Sequence, residues 1–181
     1  MFTYKIDERS HLKLLEPRDA EALFTLIQGS KEHLRTWLSW VNSTEQVKDS
    51  EAFIRSTMKQ FGENNGFQAG IWHEGHLAGV IGFHRIDWTN KLTTIGYWLG
   101  EDYQGLGLMT RACEAIVDYA LTDLKLARVE IRAATENKRS QAVPERLGFV
   151  REGELRHSEW LYDRYVNHVV YGLLAEEWGR R

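Results

Sequence analysis

The chain has 181 residues, 43% of them hydrophobic, and a chain of this size can bury enough surface to fold as one domain, residues 1–181. Its 23 lysines and arginines are outnumbered by 26 aspartates and glutamates, which argues against direct nucleic-acid binding through a basic field. The single cysteine cannot form an internal disulfide, and neither a signal peptide nor an apolar membrane span is evident, so we expect a cytoplasmic protein with no membrane segment.

The first third of the sequence predicts a strand followed by two helices. Leu12 to Leu15 forms the strand, and Pro17 suits the first turn of the next helix, where its missing N–H costs nothing. Ser43 and Gln46 have the spacing of a capping box for the second helix. Trp37 and Trp40 either pack inside the protein or line a substrate groove between these helices.

Two strands then form a predicted hairpin, residues 67–72 and 77–83, joined by a turn that contains His73 and His76. Two histidines without a third ligand are typical of an exposed turn, so we expect no metal site. The next strand, Thr93 to Leu99, is rich in β-branched and aromatic residues.

A strongly amphipathic helix follows that strand after the loop Gln104-Gly105-Leu106-Gly107. Cys113 lies on its apolar stripe, which favours a buried packing thiol over an acyl-enzyme nucleophile. The stripe repeats at i, i+3, i+4 and i+7 and consists of Met109, Ala112, Cys113, Ile116, Val117, Ala120, Leu121 and Leu124.

The glycines ahead of this helix make its start a candidate anion site, because the first turn of a helix has unpaired N–H groups and a partial positive charge. An ordinary tight turn fits the same residues. Leu108 and Met109 stand where a Walker loop has Lys-Ser/Thr, and Thr110 stands where a dinucleotide fingerprint has its third glycine.

The remaining elements are a strand at Arg128 to Ala133, a helix from about Ser140 to Gly148, and two strands, Phe149 to Leu155 and Tyr165 to Leu173. The order of elements predicts an α/β or α+β sheet covered by helices on both faces.

Two segments of the chain resemble the GNAT superfamily of acetyl-CoA-dependent N-acetyltransferases. Gln104 and Gly107 match the Gln/Arg-x-x-Gly-x-Gly/Ala pyrophosphate loop, and Met109 departs from its last position. Asn137 to Phe149 resembles the Asn-x-x-Ser…Glu-Arg/Lys-x-Gly-Phe segment of that family. The resemblance extends over nearly the whole chain and is strongest to the RimL-like (RimJ/RimL) branch, which acetylates ribosomal proteins.

The resemblance implies a mixed, mostly antiparallel sheet that is splayed between its fourth and fifth strands, with acetyl-CoA in the gap. Backbone amides at the end of the Tyr97 to Leu99 strand would hold the pantetheine and the acetyl carbonyl, and the backbone of 104–110 would hold the pyrophosphate. The implied cofactor-binding residues are Tyr97, Trp98, Leu99, Gln104, Gly105, Leu106, Gly107, Leu108, Met109, Thr110, Asn137, Arg139 and Ser140.

Two catalytic residues are implied by the same branch. Ser140 matches the serine that protonates the leaving thiolate, although a serine at a helix start can equally be a simple cap. Glu159 matches the general base, and we expect its neighbour Trp160 to raise the pKa of that carboxyl by desolvation. Asp163, or a water chain to Glu130, is the next candidate for the base.

The resemblance thus implies direct transfer of an acetyl group to the α-amine of a protein N-terminus. A modest base suffices there, because an α-amine has a pKa of about 7.7 to 8.0, against about 10.4 for a lysine amine. The residues leave two alternatives open: a small acceptor such as a polyamine, an amino acid or an aminoglycoside, and a module that binds acyl-CoA without turnover. Assembly as a homo-oligomer also remains open.

Overall fold

The computed structural model describes residues 3–179, which form a single eight-stranded sheet with helices packed against it. The strands are β1 (Tyr4–Lys5), β2 (Ser10–Leu14), β3 (Gln68–His73), β4 (His76–Asp87), β5 (Leu92–Leu99), β6 (Arg128–Ala134), β7 (Val150–Leu161) and β8 (Arg164–Leu174). The helices are α1 (Ala20–Gly29), α2 (Lys31–Arg35), α3 (Val47–Gly62), α4 (Leu108–Asp118), α5 (Lys138–Arg146) and α6 (Ala175–Trp178).

The sheet has the strand order β1-β2-β3-β4-β5-β6-β8-β7, and every neighbouring pair is antiparallel except β5 and β6. Those two parallel strands pair from Leu92 with Arg128 as far as Ile95 with Ile131. Beyond that point both strands continue without pairing to each other, so the sheet is splayed. This confirms the expected gap, since β5 and β6 are the fourth and fifth strands of the sequence prediction, which does not include the short β1.

Helices cover both faces of the sheet, as predicted. On one face, α4 and α5 pack on a large apolar cluster that includes Ile81 and Ile95. On the other face, α1 and α3 pack on a second cluster that includes Val80. Neighbouring strand residues such as Val80 and Ile81 enter opposite clusters because side chains alternate along a strand.

Helix α4 begins at Leu108, directly after Gly107, whose φ of 70° lies in the left-handed region that favours glycine. The predicted apolar stripe is buried from Met109 to Leu121, and Cys113 is fully buried within it. A π-helical turn, Tyr119–Asp123, extends the helix. None of the helices in residues 3–179 is long and apolar enough to cross a membrane.

The predicted capping box was wrong in its residues. Ser43 lies in a separate 3-10 turn, and the box at the start of α3 is formed by Gln46 and Asp49. The Gln46 backbone N–H donates to Asp49 Oδ2 at 2.9 Å. Gln46 and Asp49 exchange the same kind of hydrogen bonds as a capping box of Ser and Glu. The sequence therefore contains two overlapping candidates, Ser43 with Gln46 and Gln46 with Asp49, and the tertiary structure decides between them.

Other boundaries also differ from the prediction. Strand β1 and helices α2 and α6 were not predicted, and α5 starts at Lys138, two residues before Ser140. Strand β7 was predicted to end at Leu155, and it continues to Leu161 because it pairs with β8 in two stretches separated by a bulge. Glu159 therefore lies on a strand and not in a loop.

Candidate active site

A cavity of about 1970 Å³ opens where β5 and β6 part. Its lining contains both predicted catalytic residues, Ser140 and Glu159. It also contains the predicted cofactor-binding residues of β5, of the glycine loop and of α5, with the exception of Leu106, whose side chain is half exposed. Segments that are far apart in the sequence therefore meet at the splay of the sheet.

The loop at Gly105 and Gly107 brings backbone close to this cavity. Both glycines have positive φ, 76° and 70°, which a side-chain-bearing residue adopts only with strain. A Cβ at Gly105 would meet no protein atom within 4 Å, and one at Gly107 would lie 2.8 Å from the Arg111 guanidinium. The first N–H groups of α4 have no intrahelical partner, so this loop and helix start fit a phosphate group.

Basic side chains flank the loop. Gln104 Oε1 accepts a hydrogen bond from the Arg139 guanidinium, and the Gln104 amide lies against the His33 ring. Burial lowers the pKa of His33, and the charge of Arg139 acts in the same direction. Arg111 donates from Nη2 to the Leu106 carbonyl at 3.1 Å. Two guanidinium groups are thus held beside the helix start, where they suit an anionic ligand.

The edge of β5 that faces the gap has no strand partner beyond Ile95. The backbone of residues 96–99 on that edge can therefore pair with an extended ligand arm, as the resemblance implies for pantetheine. Across the gap, the Tyr97 hydroxyl donates to the Ser140 carbonyl at 2.8 Å. Burial raises the pKa of Tyr97 well above its ordinary value, so this phenol stays protonated and ties β5 to α5.

Ser140 does not cap its helix. The N-cap of α5 is Asn137, whose Oδ1 accepts the Ser140 backbone N–H at 3.1 Å. Within residues 3–179 the Ser140 hydroxyl has no hydrogen-bond partner, although it lies in the cavity lining. The structure therefore rejects the simple-cap interpretation and leaves this hydroxyl available to a ligand.

Both carboxylate oxygens of Glu159 have partners. Oε1 accepts from the Ser39 hydroxyl at 3.0 Å, and Oε2 lies 3.2 Å from His168 Nε2. The hydrogen bond from His168 is the main reason that the pKa of Glu159 falls below its ordinary value; burial acts in the opposite direction and is outweighed. The carboxylate is therefore held in its charged form.

The expected effect of Trp160 on Glu159 was wrong. The Trp160 side chain is 52% exposed and packs edge-on against Tyr165, with ring centroids 4.8 Å apart. An indole that is open to solvent on a surface hairpin does not desolvate its neighbour, so the pKa of Glu159 is lowered and not raised.

The two other carboxylates considered as bases lie outside the cavity lining. Glu130 is paired with Arg132 at 2.6 Å and with Arg128 at 2.9 Å. Asp163 is at the exposed turn between β7 and β8, 3.6 Å from Arg164. Of the three carboxylates that the sequence proposed as bases, Glu159 is therefore the one that lines the cavity.

Aromatic residues line the part of the cavity near Glu159. Trp37 and Trp40 are both in the lining, and Trp40 packs against Trp98 with ring centroids 5.8 Å apart. Of the two interpretations of Trp37 and Trp40, the structure favours the groove. A hydrogen bond connects the segment that contains Trp37 and Trp40 to the β7–β8 turn: the Tyr162 hydroxyl donates to the Leu38 carbonyl at 2.6 Å.

Sequence reasoning missed Ser39 and His168. Side chains alternate along β8, so His168 lies on the face opposite Val169, but Val169, Val170 and Tyr171 are all buried and the sequence shows no alternation that singles out His168. Ser39 and Glu159 are 120 residues apart in the sequence, and no local pattern indicates that they meet.

The fold and site can now be compared with known proteins. Residues 9–150, more than half of the chain, match the family model of the acetyltransferase (GNAT) domain. The chain belongs to the GNAT acetyltransferase family. It is 38% identical over 98% of both chains to YdaF of Bacillus subtilis (strain 168), a provisionally named ribosomal N-acetyltransferase. It is 29% identical to the ribosomal-protein-serine acetyltransferase of Escherichia coli (strain K12), covering 96% of this chain and 97% of that protein.

Solved structures agree with this GNAT assignment. The Microcin C7 self-immunity acetyltransferase MccE, in complex with acetyl-CoA and AMP, has a TM-score of 0.89, 29% identity and 94% coverage of both chains. The protein is therefore an acetyl-CoA-dependent N-acetyltransferase, and the cofactor and fold implied by the resemblance are confirmed. The glycine loop, the start of α4 and the free edge of β5 remain the predicted binding surfaces for acetyl-CoA.

Proposed function

We propose that this enzyme transfers an acetyl group directly to the α-amine of a protein N-terminus, with Glu159 as the general base and Ser140 as the general acid. The observation that supports the proposal best is that a charged Glu159 carboxylate and a Ser140 hydroxyl without a partner among the described residues line the same cavity as the glycine loop. Such an arrangement allows a ternary complex without an acyl-enzyme.

Acetyl-CoA supplies an acetyl thioester, which requires a neutral amine on one side and a proton for the departing thiolate on the other. Glu159 lies in the aromatic part of the cavity, where its carboxylate can accept a proton from the acceptor ammonium. Ser140 Oγ lies in the α5 wall of the gap and can donate a proton toward sulfur. Tyr97, hydrogen-bonded to the Ser140 carbonyl, holds that wall in place.

The charges of the cavity favour an α-amine over a polyamine. Among the described residues that line it, carboxylates are supplied by Asp49 and Glu159 alone. Asp49 Oδ2 accepts the N–H groups of Glu45 and Gln46 and so caps α3, which leaves the cavity with few carboxylates for a second ammonium group. A polyamine carries further ammonium groups that need anionic partners, whereas an N-terminal residue brings a single charge.

The named relatives point the same way, since two of them carry ribosomal-protein acetyltransferase names. A ribosomal-protein acceptor would place the reaction in the cytoplasm. Retention of both Glu159 and Ser140 counts against a module that binds acyl-CoA without turnover.

The test is release of free CoA thiol from acetyl-CoA with a panel of acceptors. The panel pairs peptides that have a free N-terminus with the same sequences blocked at the α-amine and carrying an internal lysine, and it includes spermidine, a free amino acid and an aminoglycoside. We expect turnover with the free N-termini and little with their blocked partners. Higher kcat/KM on a small amine would contradict the protein acceptor, and absence of thiol release with every acceptor would contradict the enzyme.

A further inference from the structure

His168 lines the cavity beside Glu159, and none of the proposed steps uses it. It lies on β8 with a side chain that is 18% exposed. The β7–β8 pairing explains its neighbours. Leu155 pairs with His168, whereas Glu159 already pairs with Val166, so β7 has two more residues than β8 over this stretch. Bulges of this kind redirect side chains, and this one turns both Ser158 and Glu159 toward the His168 ring.

The ring has a partner at each nitrogen. Nε2 lies 3.2 Å from Glu159 Oε2, and Nδ1 lies 3.2 Å from the Ser158 hydroxyl. A carboxylate can only accept a hydrogen bond, so Nε2 must carry a proton and donate it to Glu159. The two partners thus fix the orientation of the His168 ring, and its Nε2–H donor is directed at Glu159, the proposed base.

We propose that His168 is a positioning residue for acetyl transfer, and that its Nε2–H fixes the Glu159 carboxylate in the orientation that meets the acceptor amine. This inference rests on the proposed function. A glutamate has three rotatable side-chain bonds, and a base displaced by about 1 Å can lose much of its rate. A donor held by the sheet restricts that freedom, as hydrogen-bonded partners of reactive groups commonly do.

The other groups around Glu159 do not replace this donor. Ser39 donates to the other oxygen, Oε1, from the segment ahead of α3. Arg132 of β6 lines the same cavity but is paired with Glu130 at 2.6 Å. Asp49 of α3 caps its own helix. Loss of the His168 donor should therefore free the carboxylate and raise the pKa of Glu159 toward its ordinary value.

Two nearly isosteric substitutions separate positioning from simple packing. In His168→Gln the amide nitrogen can occupy the place of Nε2 and still donate to Glu159, whereas in His168→Asn the shorter side chain places its amide near Nδ1. We expect kcat to stay within about 3-fold of the parent in the Gln variant and to fall by about 10-fold to 100-fold in the Asn variant, the range for a lost hydrogen bond to a charged group. KM for acetyl-CoA should not change in either.

The matched controls are His76→Gln and His76→Asn, which make the same changes at an exposed histidine of β4. Circular dichroism and thermal unfolding check the fold of each variant, and His168→Leu replaces His168→Asn if the latter does not fold. Equal loss of kcat in the Gln and Asn variants, or full activity in the Asn variant, would overturn the proposal.

A second measurement does not depend on turnover. The carboxyl carbon of Glu159 is followed by NMR in protein labelled with ¹³C in its glutamates, and is assigned with Glu159→Gln. We expect the titration midpoint of Glu159 to rise most in His168→Asn and less in His168→Gln, which keeps the hydrogen-bond donor but removes the charge of the ring, the other way in which His168 lowers the pKa of Glu159. The same midpoint in the parent, His168→Asn and His168→Gln would contradict the role of His168. This measurement needs no acceptor, so its outcome can be told apart from a failure of the proposed function.

Discussion

The phosphate side and the acceptor side of the cavity are constructed from different parts of the chain. On the phosphate side, the turn at Gly105 and Gly107 and the first turn of α4 present backbone N–H groups that are contiguous in sequence. On the acceptor side, side chains from two distant segments converge, because Ser39 of the segment ahead of α3 meets Glu159 and His168 of the β7–β8 hairpin. In the proposed site, backbone groups therefore meet the acetyl donor that is common to the family, and side chains meet the acceptor.

This difference predicts two kinds of defect. Changes on the phosphate side should act through backbone conformation and weaken cofactor binding. Changes on the acceptor side should act through side-chain chemistry and lower the rate while cofactor binding survives. Each experiment below tests whether the two sides can be separated in this way.

The largest effect is expected for Glu159→Gln. General bases typically contribute about 10²-fold to 10⁴-fold, so kcat should fall within that range while KM for acetyl-CoA changes little. Raising the pH should partly restore the rate, because the amine then loses its proton to solvent before it attacks. Steady-state kinetics across pH measure both effects, and near-parental turnover at neutral pH would show that the base lies elsewhere.

The pH profile of the parent enzyme follows from the same site. The hydrogen bond from His168 lowers the pKa of Glu159, so this carboxylate stays charged until the pH falls below its ordinary range, 4.5 in the free side chain. The limb of kcat/KM near neutral pH should then report the acceptor, rising with pH through about 7.7 to 8.0 for an α-amine. A limb near 10 on a peptide acceptor would indicate a lysine amine.

Ser140→Ala should lower kcat by a factor in the same range of about 10² to 10⁴, again with little change in KM for acetyl-CoA. High pH should not restore its rate, since the proposed defect is in protonating the leaving thiolate. Asn137, and not Ser140, caps α5, so the helix should remain intact by circular dichroism. Rescue of this variant by high pH would contradict the assignment of the acid.

Gly107→Val should weaken CoA binding by at least about 10-fold and leave the fold intact. A β-branched residue at φ 70° costs about 1 to 3 kcal/mol of strain, and the local shift misplaces the N–H groups at the start of α4. Calorimetric titration with CoA measures the effect. Gly153→Val is the matched control, since its Cβ meets no protein atom within 4 Å and its φ is not positive. Parental affinity in Gly107→Val would mean that the phosphate loop lies elsewhere.

The smallest effect on chemistry is expected for Cys113→Ala. Burial raises the pKa of the Cys113 thiol well above its ordinary range. The side chain belongs to the apolar stripe of α4 and is fully buried in the cluster between α4 and the sheet. Turnover should be retained, with a loss on the order of 1 kcal/mol in the free energy of unfolding. A folded but inactive variant, or an acetylated cysteine in mass spectrometry, would contradict direct transfer.

Local sequence determined much of this protein. The periodicity of α4 and the alternation of Arg128 to Ala133 in β6 predict their elements, because side-chain spacing along a helix or strand is a local property. The glycine loop made the start of α4 a candidate anion site, and the resemblance of this loop and of the Asn137 to Phe149 segment to the GNAT superfamily implied acetyl-CoA. Prediction from local sequence fails where two residues are nearly equal candidates for one position, as Ser43 and Gln46 are for the N-cap of α3.

Only the tertiary structure decided the environment of the proposed base. The bulge in β7 turns Glu159 toward His168, and the segment ahead of α3 brings Ser39 to its other oxygen. Trp160, the neighbour in sequence, is directed to solvent instead. The ionisation of a side chain depends on the charges and donors around it in space, and strand register and the packing of distant segments determine which residues those are.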